Sequence, residues 1–264
     1  MQYRVEEIVN YVELWAKREY EESWDNSGAQ IYFKDEKVEN VVVSLDLFDE
    51  VVDMAIEKNA KLIITHHPMF FSSIKSIDNG DYVGKNIIKA IKNDISIYSA
   101  HTTLDIAEGG VNDLLCSLLK LEGVKGLYRT ENGFYLGKTG YLKKKISLED
   151  FVELLKISLN TKNIKIYGKK TNFVEQVSLC GGSGSDFISL ASEEKSDVYI
   201  TGDIKYHDGQ LAYEEGITLI DVGHFNGEKI IVNEIKKYLK NKFEINIYPI
   251  IKNNYEISFD DIGK

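Results

Sequence analysis

Apolar residues in this chain recur in two rhythms, and the two alternate. Residues 4–19 and 148–159 place them at the three- and four-residue spacing of a helix face, the second stretch opened by the capping sequence Ser147-Leu148-Glu149-Asp150. Short runs rich in β-branched residues at 41–45, 62–65, 95–99, 177–180, 198–201 and 217–221 read as strands. The stretches 48–59, 84–93, 186–194 and 228–239 read as amphipathic helices. Near-continuous apolar strands alternating with helices are the pattern of mainly parallel sheets covered on both faces, which predicts an α/β fold.

The pattern occurs twice. Val38-Glu39-Asn40-Val41-Val42-Val43-Ser44 is answered by Val174-Glu175-Gln176-Val177-Ser178-Leu179-Cys180. At the same offset, Leu62-Ile63-Ile64-Thr65-His66-His67 falls on Val198-Tyr199-Ile200-Thr201-Gly202-Asp203. A slightly shorter offset matches Ile97-Tyr98-Ser99-Ala100-His101 to Ile220-Asp221-Val222-Gly223-His224 and pairs Asp105 with Glu228. Two copies fit an internal duplication into two similar α/β halves, 1–127 and 128–264, rather than a solenoid, which needs more repeats. Ligands of such folds bind beyond the carboxyl ends of the strands. The expected site is therefore a cleft where the two rims face each other.

Composition narrows the picture. The 264 residues suffice for one large or two ordinary domains. No apolar run approaches membrane-spanning length, and the N-terminal residues have no signal-peptide core. Two cysteines, Cys116 and Cys180, make no disulfide framework, so a cytoplasmic location is expected. A formal charge of −10 disfavours nucleic acid as a partner.

The chemistry lies in the histidines. All 5 sit in four segments that also carry carboxylates: Thr65-His66-His67-Pro68, Ala100-His101-Thr102-Thr103-Leu104-Asp105, Tyr206-His207-Asp208 and Gly223-His224-Phe225-Asn226-Gly227-Glu228. Imidazole with carboxylate, and no cysteine alongside, is a ligand set for zinc, manganese, iron, cobalt or nickel. Adjacent His66 and His67 point apart in extended backbone, a splay that Pro68 reinforces, so each can serve a different ion. Asp105 is either a ligand or the cap of a helix starting near 106, and Glu228 either bridges two ions or decorates a first helical turn. His101 is a ligand, an orienter of Asp105 or a proton carrier. His207 is a proton carrier or a surface histidine. Phe70, Phe71, Tyr206 and Phe225 flank these segments and either hold an aromatic ring or belong to the core.

Together with Trp24-Asp25-Asn26-Ser27-Gly28, Gly109-Gly110-Val111-Asn112-Asp113 and Thr201-Gly202-Asp203, these motifs resemble the NIF-three-like (Ngg1p-interacting-factor-three-like) family over nearly the whole chain. Its bacterial members are named GTP cyclohydrolase 1 type 2 homologues. The resemblance implies two similar α/β halves, a dinuclear metal centre in the cleft and a toroidal homohexamer. It implies His66, His67, Asp105, His224 and Glu228 as ligands of two divalent ions, with Glu228 bridging and His101 and His207 lining the pocket. Thr103 stands where Asn is common, and Gly227 where Ser or Thr usually precedes the Glu.

Two functions of different class follow. One is a metal-dependent hydrolase acting on a small molecule, a nucleotide or phosphoester, because paired ions acidify water and clamp an in-line displacement. Two ligating carboxylates offset only part of the ions' charge, which leaves a cleft expected to attract anions. The other is a non-catalytic metal-binding or protein-interaction scaffold.

Overall fold

The computed structural model describes residues 2–253 and 255. Two mixed sheets carry the fold, and they share one plan. In the first, Asn40–Ser44, Leu62–Thr65 and Ser96–Ser99 lie side by side in parallel, with Gly28–Ile31 antiparallel beyond the last. In the second, Phe173–Leu179, Val198–Thr201 and Thr218–Asp221 lie in parallel, with Lys165–Gly168 antiparallel beyond the last. The free flank differs. Asn246–Ile250 adds in parallel to Asn40–Ser44, whereas the antiparallel pair Glu122–Arg129 and Tyr135–Ser147 adds to Phe173–Leu179. The expected boundary at 127/128 falls within Glu122–Arg129, and the chain crosses back into the first sheet with Asn246–Ile250.

Side-chain alternation sorts the core into layers. Val41, Val43, Leu62 and Ile64 of the first sheet share one cluster with Val177, Leu179, Val198 and Ile200 of the second. Between them sit the buried faces of helices Val5–Trp15, Val111–Leu119, Leu148–Leu159 and Ile230–Lys240, including Ile8, Leu115, Phe151 and Ile235. The intervening residues Val42 and Ile63 turn outward to Val51, Val52 and Ala90 of helices Asp49–Glu57 and Tyr82–Lys92. Tyr199 and Leu219 turn outward to Ile188, Ala191 and Ala212 of helices Ile188–Glu193 and Tyr206–Glu215. Helices thus cover both faces of the central strands, which is why those strands read as unbroken apolar runs.

The flanking strands were not legible as strands. Glu122–Arg129 buries only Leu127, so it carries no apolar alternation, and edge strands with one solvated face are polar for that reason. The helix expected over 228–239 is Ile230–Lys240, with a separate short helix, His224–Glu228, before it.

One buried side chain ties the halves together. Asn112, fully buried, donates from Nδ2 to the Asp105 carbonyl at 2.9 Å and accepts from the Gly181 N–H at 2.9 Å. Replacing it with leucine keeps the branching and the number of heavy atoms and leaves both backbone groups unpaired, each costing about 1–3 kcal/mol. Asn112→Leu is expected to lose roughly 2–4 kcal/mol of stability. Denaturant unfolding at constant slope checks this, and an unshifted midpoint contradicts the strut.

Candidate metal centre

The histidines of the cluster and most of their carboxylates leave the carboxyl ends of parallel strands; Asp25 instead precedes the antiparallel strand Gly28–Ile31. Asp46 follows Asn40–Ser44, and His66 and His67 follow Leu62–Thr65. His101 follows Ser96–Ser99 and caps the short helix Thr102–Ile106, which carries Asp105. From the second sheet come Asp203, after Val198–Thr201, and the helix His224–Glu228, after Thr218–Asp221. Sheet register corrects the equivalence of His101 with His224. Ser99 pairs with Thr65 as Asp221 pairs with Thr201, so His101 lies one position nearer its strand than His224 does. The two histidines therefore play different parts.

Three of the groups meet closely. His67 Nε2 lies 2.9 Å from Glu228 Oε2 and 3.1 Å from His224 Nε2, while His224 Nε2 lies 3.0 Å from the same Oε2. The other oxygen of Glu228 faces His66 Nε2 at 3.7 Å, and Asp105 Oδ1 faces that nitrogen at 3.6 Å. His66 Nε2 and Asp105 Oδ1 are buried with no hydrogen-bond partner. Buried polar atoms are rarely left so, and each explanation must supply a partner. A divalent ion with ligand bonds near 2.0–2.1 Å sets its donors about 3.3 Å apart, close to these separations. His66 with Asp105 and Glu228, and His67 with His224 and Glu228, each could hold an ion; His66, His67 and His101 form a third such group.

The imidazoles are oriented from behind. The Nδ1–H of His66 donates to the Ala100 carbonyl at 2.8 Å, that of His67 to Asp46 at 2.7 Å and that of His224 to Asp203 at 2.7 Å. The Nδ1–H of His101 donates to Asp25 at 2.8 Å, and Asp25 is itself held by Ser27 Oγ at 2.7 Å and Thr102 Oγ1 at 2.6 Å. With Nδ1 spent on a carboxylate or carbonyl, each Nε2 lone pair is free for a cation. Backbone conformation serves the same end. Asp203 sits in the left-handed region at φ +57, one of the few side chains that tolerate it. Gly182, at φ +67, is forced to be glycine because a Cβ there would come within 2.1 Å of Glu228 Oε1.

The electrostatics describe a site short of positive charge. Burial works to lower the His67 and His224 imidazoles, but Glu228 with Asp46 pushes His67 up to about 10, and Glu228 with Asp203 pushes His224 up to about 9. Burial opposes the His66 proton too, yet Asp105 and Glu228 raise it. Burial raises the Asp105 carboxyl, whereas the imidazoles overcome burial and hold Glu228 well below the usual carboxylate range. Burial would likewise raise Asp25, but bonds from His101, Thr102 and Ser27 keep it low. Without a metal, protons fill the role of the cation.

The cluster opens into a cavity of about 840 Å³ lined by groups from both halves, including His67, His101, Asp105, His224 and Glu228. Trp24 and Phe71 stand over His101 with ring centroids at 5.8 and 5.4 Å. His207 is not part of this arrangement. It is exposed on helix Tyr206–Glu215, beside the 83% exposed ring of Tyr206, with Gln210 as its partner and no place in the cavity wall. A role for it as this cavity's proton carrier has no geometric support. Phe71 and Phe225 line the cavity, while Phe70 contributes its carbonyl to Asn26. Asp25 and Asp46 were not singled out from sequence. Their signal was position: Asp46 follows a predicted strand at the same rim, and Asp25 sits in the Trp24-Asp25-Asn26-Ser27-Gly28 motif.

Comparison with known proteins agrees with this architecture. The family model for Duf34/NIF3 (NGG1p interacting factor 3) matches residues 3–254. The GTP cyclohydrolase 1 type 2 homolog of Clostridium perfringens is 31% identical over 263 residues, covering 98% of this chain and 100% of that protein. The protein of the same name from Methanocaldococcus jannaschii is 30% identical, covering 92% and 98%. Among solved structures, the Bacillus cereus protein related to NIF3 superposes with a TM-score of 0.89 at 26% identity, covering 97% of this chain and 99% of that one. Reduced HcgD from Methanocaldococcus jannaschii does so with a TM-score of 0.84 at 29% identity, covering 94% and 98%. With its mixed α/β fold and its histidine–carboxylate cluster, this chain belongs to the DUF34/NIF3 family.

Proposed function

We propose that the protein is a hydrolase that uses two divalent metal ions to cleave a phosphoester, nucleotides included. The observation that carries this reading is the pair of unpartnered buried atoms, His66 Nε2 and Asp105 Oδ1, beside a carboxylate whose two oxygens face three imidazoles. His66, Asp105 and Glu228 would hold one ion and His67, His224 and Glu228 the other, with Glu228 as the bridge. Bound ions of this kind polarise a phosphoryl oxygen and acidify water.

The chain's own groups supply the rest. Asp46 and Asp203 keep the Nε2 atoms of His67 and His224 turned toward Glu228. Asp25 holds the Nδ1–H of His101, so its Nε2 accepts a proton from the attacking water. The water oxygen bonds to phosphorus, the bond from phosphorus to the leaving oxygen breaks, and His101 returns the proton to that oxygen. The name of the relatives, GTP cyclohydrolase 1 type 2 homolog, points to hydrolytic ring opening of a nucleotide, which shares attack by water with this reading but breaks a carbon–nitrogen bond rather than a phosphoester. We further read the assembly as a closed ring of six copies, as the family resemblance implies. No helix among the described residues is long and apolar enough to cross a membrane.

Element analysis of untagged protein is expected to return about two divalent ions per chain, lowered by His67→Ala and by Glu228→Gln. Turnover of a phosphoester panel should vanish with chelator and return with metal, and His101→Ala should slow it while metal content holds. Full metal in both ligand variants removes these residues from the site. Fully metallated protein that turns over nothing leaves a metal-binding scaffold.

The raised imidazoles give a pH signature. Unfolded histidine titrates near 6.5, whereas metal-free folded His67 and His224 do so at about 10 and about 9. A pKa raised by folding stabilises fully below the unfolded value and is lost as pH climbs through the folded one. Metal-free protein is therefore expected to melt lower at pH 9.5 than at pH 6.5. Saturating metal, which needs neutral imidazoles, should reverse that trend. Calorimetry of both forms across this window checks the sign.

Light scattering at micromolar protein should give a mass several times 30.1 kDa, with six copies expected. A monomer under metal-replete conditions ends the ring reading.

A further inference from the structure

We infer that the cavity selects a substrate with a planar aromatic body and a single compact oxygen head, an aryl phosphate monoester being the simplest example, and rejects di- and triphosphate chains. The inference deepens the hydrolase reading and rests on it. Two features of the cavity lead there, one of charge and one of shape.

The charge feature is a shortage of cations. Behind the two ligating carboxylates, Asp105 and Glu228, stand three more: Asp46, Asp203 and Asp25, each bonded to an imidazole of the site. Five carboxylates against two dications leave the floor close to neutral or slightly negative, so the expected general attraction for anions is cancelled from the second rank. No lysine or arginine is among the described residues lining the cavity. Lys229, adjacent to Glu228, spends its ammonium on Asn226 Oδ1 at 2.8 Å and the Asn160 carbonyl at 3.3 Å. A polyphosphate chain needs fixed donors along its length, typically lysine, arginine or a glycine-rich amide cradle. The glycine-rich run 181–184 also reaches the cavity wall, but the N–H groups of Gly181 and Gly184 are bonded to Asn112 Oδ1 at 2.9 Å and Thr201 Oγ1 at 2.8 Å. It therefore offers no open cradle, and the metal centre is the main place for an oxygen head.

The shape feature is a rim of aromatic rings left open to solvent. Trp24 is 57% and Phe71 51% exposed, and Tyr82 is 71% exposed, although all three line the cavity. Trp24 and Phe71 lie 6.4 Å apart, tilted by 32°, as a wedge above His101. Large exposed rings around a concave polar floor are the usual wall of a pocket for an apolar ligand body. A ring seated in the wedge would carry its ester oxygen down past His101 toward His67 and Glu228.

The test is competition binding to metal-loaded protein, with retained metal verified, using phenyl phosphate, inorganic phosphate, pyrophosphate, GMP and GTP. Phenyl phosphate is expected to bind about tenfold tighter than inorganic phosphate, the worth of good aromatic stacking. GTP should gain nothing over GMP, nor pyrophosphate over phosphate. In Trp24→Ala/Phe71→Ala, whose exposed rings are not needed for the core, the ratio of phenyl phosphate to phosphate affinity should fall toward one. Affinity that climbs with the number of phosphates overturns the inference, as does an aryl preference that survives in the double variant. Selective binding without turnover upholds the selectivity and defeats the hydrolase reading. Turnover of GTP in preference to aryl monoesters does the reverse.

Discussion

The structure turns on the burial of Glu228. A carboxylate 2% exposed in a protein interior is tolerated only when opposite charge meets it at close range, because the penalty for an uncompensated buried ion is several kcal/mol. His67 and His224 supply that charge at 2.9 and 3.0 Å on one oxygen, and His66 faces the other. Each imidazole in turn needs its second nitrogen satisfied, and Asp46, Asp203 and the Ala100 carbonyl do this. Compensation of one anion thus recruits a shell of further acids, and protons or divalent ions must close the balance.

The fold makes this concentration of charge possible. A central layer of helices holds the two sheets so that their strand ends reach one cavity, and Asn112 bonds a backbone group of each half across the junction. Parallel strands matter here. They deliver every connection that leaves a carboxyl end to the same rim, so six loops bring their polar groups together without disturbing the apolar layers beneath. Gly182 then lets the second half's loop run against Glu228 with no side chain between them.

The two halves contribute unequally despite their common plan. The first brings His66, His67, His101 and Asp105, with three of these residues buried below a tenth exposure; the second brings His224 and Glu228. The one-residue shift after the third parallel strand explains the asymmetry. It makes His224 the first residue of its helix, four before Glu228 and in contact with it, whereas His101 caps its helix and turns to Asp25 and the aromatic wedge. Similar sequence positions thus give one histidine bonded to Glu228 and another bonded to Asp25.

The sequence alone determined the α/β class, the repeated order of the central strands and the concentration of histidine and carboxylate at their ends. These follow from local spacing: strands covered on both faces must be apolar throughout, and residues next to a strand end stay next to it in any fold. Sequence also supplied the candidates that prove adjacent, His66, His67, His101, Asp105, His224 and Glu228. Only the tertiary structure decided which of the 5 histidines stood apart, because His207-Asp208 and His101 with Asp105 look alike until Tyr206–Glu215 presents its first turn to solvent. Only it placed the polar edge strands, whose single covered face leaves little periodicity, and returned Asn246–Ile250 to the first sheet. And only it revealed Asp25 and Asp46 behind the imidazoles, 76 and 21 residues from the histidines they hold. Hydrogen bonds between residues so far apart in the chain leave no local pattern, since they are set by how strand ends meet once the sheets have packed.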